Sequence, residues 1–152
     1  MQHIFQEIYL YGGEILQSAA FQKCMSTTHH KHSNVARHSI AVAVCALQIC
    51  HWLNSHHIRT DNHRMVLAAL GHDLAMPYAA QCGKVLGKFT TAFRHPSDSA
   101  AIAADITDVH KRTYTAIKRH MWPLCIIPPN SLEGWILTLA DKIVAIKELV
   151  SH

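Results

Sequence analysis

The chain has 152 residues, 49% of them hydrophobic and 16% charged, with a net charge of +4. That length suits one folded unit with one sizeable core, and the composition is that of a globular protein. The longest apolar run, IAVAVCAL at residues 40–47, falls far short of the ~18 residues a membrane span needs, and the mild positive charge suits an anionic substrate better than nucleic acid, whose binding domains carry denser basic patches.

The N-terminal stretch MQHIFQEIYLYGG has no basic start followed by an apolar segment, so no signal peptide is expected. Five cysteines, none paired as CxxC, read as reduced thiols of a cytoplasmic protein. Helical periodicity then dominates. Residues 3–22 form a first helix, interrupted or weakened at Gly12-Gly13. A second, capped by Ser33 or Asn34, runs to about residue 54 and is apolar on nearly every face, as expected of a central helix. A third, capped by Thr60 or Asp61, carries MVLAAL directly into His72 and Asp73. Pro77 and Gly83 mark a loop, and a fourth helix follows Pro96. A fifth starts at Thr107 and stops before Pro123. The last, 131–150, is capped by Asn130 or Ser131; Leu132, Ile136, Leu139, Ile143, Ile146 and Val150 form its core-facing stripe. No period-two strand is evident, so the fold class is all-α, in one domain covering 1–152.

Several polar side chains sit where burial is expensive. Asp141 has Leu137, Val144 and Ala145 as helical neighbours, and an unpaired carboxylate on such a flank costs several kcal/mol unless a cation meets it. His38 lies inside the apolar second helix beside Val35, Ala41 and Val42. His72 and Asp73 are adjacent, so both can reach one point only if it lies over the end of their helix. Each has a plainer reading alone: a salt-bridged aspartate, a hydrogen-bonded core histidine, a turn aspartate. Fourteen histidines also exceed what any metal centre uses, so most are bystanders.

The ordered set His38, His72-Asp73 and Asp141, in "VARHSIAVA", "LAALGHDLAMP" and "LADKIVAIKE", resembles the HD-domain superfamily of metal-dependent phosphohydrolases over about residues 28–148. The segments "FRHPSDSA", "IKRHMWPL" and "PPNSLEGWILTLADKI" are similar to a small bacterial branch of single-domain HD proteins. The resemblance implies a helical bundle of the HD/phosphodiesterase kind around a metal centre. His38, His72, Asp73 and Asp141 would hold a divalent metal, while His95 and His120 would complete a second site; His110 is the competitor for that last place. His72 and Asp73 would also be catalytic, and His30, Arg94 and Lys142 would contact substrate. Arg37 and Arg119 are further basic neighbours of these positions. The "LAMP" after Asp73 departs from the glycine-lysine continuation of the cyclic-dinucleotide branch and argues against that specificity.

Imidazole and carboxylate ligands suit iron, manganese or zinc. Two such ions bridged by Asp73 would make water a nucleophile at neutral pH and neutralise phosphate charge. The expected activity is hydrolysis of a small phosphate ester, with a nucleotide as one candidate. Neither a membrane nor nucleic acid is an expected partner. Two other readings share these residues: a mixed-valent di-iron oxygenase, and a non-catalytic metal-stabilised module that binds a nucleotide. The sequence leaves the oligomeric state open.

Overall fold

The computed structural model describes residues 1–30, 33–79 and 86–150; at 29–30, 79 and 86–93 the description is of the backbone alone. Eight helices follow in order: α1 (Gln2–Gln17), α2 (Ala19–Met25), α3 (Val35–Ser55), α4 (Asn62–Gly71), α5 (Met76–Ala79), α6 (Leu86–Ile106), α7 (Lys111–Arg119) and α8 (Leu132–Val150). Between α2 and α3, β1 (Thr28–His30) and β2 (Ser33–Asn34) pair antiparallel, a short ladder that the sequence reading did not anticipate. The all-α class holds.

The caps follow side-chain chemistry. Asn34 accepts from the Arg37 amide at 2.8 Å and starts α3. Asp61 accepts from the Arg64 amide at 3.0 Å and starts α4. Ser131 accepts from the Gly134 amide at 3.1 Å at the head of α8. Each satisfies one of the orphan donors of a helix N-terminus.

Four expectations about the elements need correction. The first helix does not break at its glycines. It runs on to Gln17 and restarts after Ser18, whose side chain caps α2 through the Phe21 amide. Gly12 is buried where α1 meets α4, and a Cβ there would run into Leu70; close approach, not a bend, explains it. The fourth helix begins ten residues before Pro96, which sits inside α6. Proline there removes one intrahelical hydrogen bond and crowds the carbonyl four residues back, yet α6 continues through it. The fifth starts at Lys111, with His110 as N-cap, not at Thr107.

The fourth correction concerns α8. Leu132, Leu139, Ile146 and Val150 are exposed, Ile143 is half-buried, and of the expected stripe only Ile136 is buried. The face that packs carries Ile136, Leu137, Ala140 and Val144. Leu137 and Val144 are the flank of Asp141 itself, so the buried face turns that carboxylate inward.

The core is centred on α4, buried from Met65 to Gly71. It packs against α1, α3, α6, α7 and α8. No described helix is long and apolar enough to cross a membrane.

Candidate metal centre

Three helix ends and two helix interiors deliver the site. His38 comes from the first turns of α3, His72 caps the C-terminus of α4, Asp73 follows in the turn, and His95 lies within α6. His120 caps the C-terminus of α7, and Asp141 lies midway along α8. Gly71 lets these elements converge, since a Cβ there would stand 3.1 Å from Ile117 Cδ1 and 3.2 Å from Ala103 Cβ. Ser99 Oγ accepts the Ala75 amide at 3.0 Å, tying the Asp73 turn to α6.

The six side chains meet in two overlapping groups. His38, His72 and Asp73 present ligand atoms all within 4.8 Å of one another, and so do Asp73, His95 and His120. Asp73 belongs to both. Its Oδ2 is 3.3 Å from His72 Nε2, and its Oδ1 is 3.3 Å from His95 Nε2 and 3.8 Å from His120 Nε2. Asp141 Oδ1 joins the first group at 3.0 Å from His38 Nε2 and 3.7 Å from His72 Nε2. All four histidines and Asp73 are buried.

Tautomers follow from the partners of Nδ1. A carbonyl oxygen can only accept, so His72 Nδ1 donates to Ala69 O at 2.8 Å and His120 Nδ1 donates to Ile117 O at 2.7 Å. Both rings then aim Nε2 inward. His72 Nε2 is buried and has no hydrogen-bond partner; its approach to Asp73 is close without hydrogen-bond alignment. An orphaned buried polar atom costs about 1–3 kcal/mol.

The electrostatics have the same logic. Burial works against a charge on His72, but the carboxylates of Asp73 and Asp141 overcome it and push the imidazole up to about 9. Burial likewise opposes ionisation of Asp73 and Asp141, yet His72 and His95 hold Asp73, and His38 and His72 hold Asp141, below the usual carboxylate range. Burial, reinforced by the charge on His72, pushes His120 down to about 4. The cluster therefore holds positive charge against its carboxylates and keeps His120 neutral.

This donor set fits a divalent cation. Metal bonds of about 2.0–2.2 Å place neighbouring ligand atoms roughly 3–4.4 Å apart, the scale seen here. A cation at His72 Nε2 would satisfy the orphaned atom and replace its proton as counter-charge to Asp73 and Asp141.

The three residues expected at the substrate stand differently. His30 falls in β1, and its side chain lies outside the described residues. Arg94 is exposed and Lys142 is half-buried, and neither is among the converging ligand atoms. His110 is exposed at the far end of α7 from His120, and of the two it is His120 that stands with Asp73 and His95. A cavity of about 820 Å³ between α1, α3 and α8 is lined by none of the six clustered residues. The described cysteines Cys24, Cys45, Cys50 and Cys125 are free thiols, and burial pushes Cys24 up to about 12 and Cys50 to about 11. Cys82 lies outside the described residues.

One residue at the cluster had escaped the sequence reading. Glu148 Oε2 is 3.0 Å from His38 Nδ1, on the side of the ring away from Asp141. Its signal was available: it lies seven residues after Asp141, two turns along α8 on the same face.

The family model described as HD domain matches residues 35–146. Neither the curated proteins nor the solved structures yield a match to this chain.

Proposed function

Because the chain belongs to the HD-domain family, a superfamily of metal-dependent phosphohydrolases whose domains bind divalent metals, we propose that it is a phosphohydrolase working with two divalent transition-metal ions on a small phosphate ester. The observation that carries this reading is the shared carboxylate: Asp73 stands in both His/Asp groups, with an oxygen turned to each. His38, His72 and Asp141 would hold one ion, His95 and His120 the other, and Asp73 both. Iron, manganese and zinc all suit these ligands.

Bound there, such ions supply Lewis acidity toward a phosphoryl oxygen and lower the pKa of water. The chain's own part is orientation and exclusion. Backbone carbonyls at Ala69 and Ile117 fix two imidazoles with Nε2 inward, and burial keeps His120 neutral and available as a donor. Lys142 and Arg94, each next to a cluster residue in sequence, are the proposed phosphate contacts, and His30 is proposed as a further substrate contact. The free thiols suit a reducing, cytoplasmic setting.

The test is metal analysis of the purified protein, then a phosphatase and phosphodiesterase screen with added manganese, iron or zinc. Two ions per chain and hydrolysis that Asp73→Asn abolishes are expected. Two irons with no hydrolysis, but oxygen consumption with a candidate alcohol or phosphonate, would replace this reading with oxygenase chemistry. Metal without turnover of any kind would leave a binding module.

A further inference from the structure

His38 differs from the other clustered histidines whose Nδ1 partner is described. His72 and His120 donate to neutral backbone carbonyls of their own helices. His38 donates to a carboxylate from another helix, Glu148 Oε2 at 3.0 Å. Glu148 is itself held, because Ser33 Oγ donates to its other oxygen at 3.0 Å. The His38 ring is fully buried and clamped between two carboxylates of α8, with Asp141 Oδ1 3.0 Å from Nε2. Ser33 and Glu148 both fall outside the residues matched by the family model, 35–146. Nothing in the family assignment therefore bears on them.

From this clamp we infer that Glu148 is a positioning residue that makes the His38, His72 and Asp141 half of the centre the tighter metal site. The inference rests on the metal-centre reading above. The physical reason is twofold. The Nδ1–H bond to Glu148 fixes the ring, leaving Nε2 to bind a cation. A negatively charged acceptor also raises the electron density of the imidazole, and hence its strength as a ligand, more than a neutral carbonyl does. The ring that Glu148 holds, His38, belongs to the first group and not to the second, Asp73, His95 and His120.

The experiment is a zinc titration of metal-stripped protein against a chromophoric chelator, resolving two affinities, on wild type, Glu148→Ala and Glu148→Gln. Unfolding midpoints of the metal-stripped proteins are measured alongside, and the tautomer of His38 is read by nitrogen-15 NMR with His38→Asn for assignment. Glu148→Ala should weaken the tighter site by about 10–100-fold, the usual range for losing such a partner, leave the weaker one unchanged, and release His38 into a mixture of tautomers. Glu148→Gln keeps an oxygen for the Nδ1–H bond, so it should hold the tautomer, fold like wild type and lose affinity by a smaller factor. Unchanged affinities, or equal weakening of both sites in step with the unfolding midpoint, would overturn the inference while leaving the metal centre standing. If Glu148→Ala fails to fold, Glu148→Gln decides alone: wild-type zinc affinity in it would overturn the role of the charge. A wild type that binds no zinc, manganese or iron overturns the metal-centre reading and this inference with it.

Discussion

Asp73→Asn in the metal-stripped protein isolates the electrostatics of the cluster from its catalysis. Despite its burial, the carboxylates of Asp73 and Asp141 push His72 up to about 9 in the fold, against an ordinary 6.5. A folded pKa raised above the unfolded value means stability that is fully present below 6.5 and lost as pH rises through 9. Integrated to pH 7, this is about 2–3 kcal/mol. It is shared by two carboxylates, Asp73 at 3.3 Å and Asp141 at 3.7 Å from His72 Nε2, so the nearer Asp73 carries about 1–2 kcal/mol of it. The variant keeps the shape of the side chain and loses the charge. Urea denaturation followed by circular dichroism should show Asp73→Asn destabilised by that amount at pH 6.5, and nearly level with its parent at pH 10, where His72 is neutral in both. Burial pushes Cys50 up to about 11 in both proteins; Cys24 is pushed up to about 12 first by burial, which the variant keeps, and then by Asp73, which it removes. Equal destabilisation at the two pH values, or none at either, would refute the charge pairing. A surface turn aspartate would show none, because asparagine makes similar local hydrogen bonds.

Other outcomes follow from the same geometry. His95→Ala or His120→Ala should lower bound metal from two ions toward one in elemental analysis, while exposed His110→Ala changes nothing. Stripping the metal should lower the unfolding midpoint, by about 2.7 kcal/mol of stability for each ion relative to protein held at a hundred times that ion's dissociation constant, measured by scanning calorimetry with and without chelator. Gly12→Ala should destabilise by about 1–3 kcal/mol, because its Cβ meets Leu70 where α1 crosses α4. Acid should unfold the metal-free protein in two stages. His120, at about 4 in the fold, refuses a proton that the unfolded chain takes at about 6.5, so stability falls from pH 6.5 downward; the depressed Asp73 and Asp141 add their loss below about pH 4. His120→Ala should remove the first stage from a pH series of denaturation midpoints.

His38, His72, Asp73 and Asp141 stood out in the sequence because each is a polar side chain at or beside apolar helical positions, in the order shared by a known family; His95 and His120 came from that resemblance alone. The helices that carry them were legible where a capping side chain preceded an apolar run, as at Asn34 and Asp61. Punctuation misled where tertiary contact set the residue. Gly12 serves a close crossing and Pro96 sits within a continuing helix. The α8 stripe failed because a run of large aliphatics stepping by four and three took in Leu139 and Ile146, which are exposed, and passed over Ala140, which is buried. The clue was the chemistry: a helix that must present Asp141 to His38 buries the flank of Asp141. Glu148 was missed because its partner, His38, lies on another helix, and only the fold brings the two to 3.0 Å.

Why the HD pair should sit at a helix end is then a question of backbone charge. The last carbonyls of a helix have no partner within it and gather partial negative charge. His72 and His120 both stand at C-caps, and each donates Nδ1–H to the carbonyl three residues back, Ala69 O and Ile117 O. One bond thus satisfies an orphan acceptor and selects the tautomer that turns Nε2 inward. Two C-termini, from α4 and α7, converge on the side chains of Asp73 and Asp141. Both C-terminal dipoles and both carboxylates favour positive charge at that point. A bare phosphate ester would be repelled from it, so in a phosphohydrolase of this architecture cations must occupy the cluster before the substrate can approach. Substrate affinity and metal occupancy should therefore rise together. A phosphate monoester that binds the metal-stripped protein as tightly as the loaded one, in a direct calorimetric titration, would contradict that order.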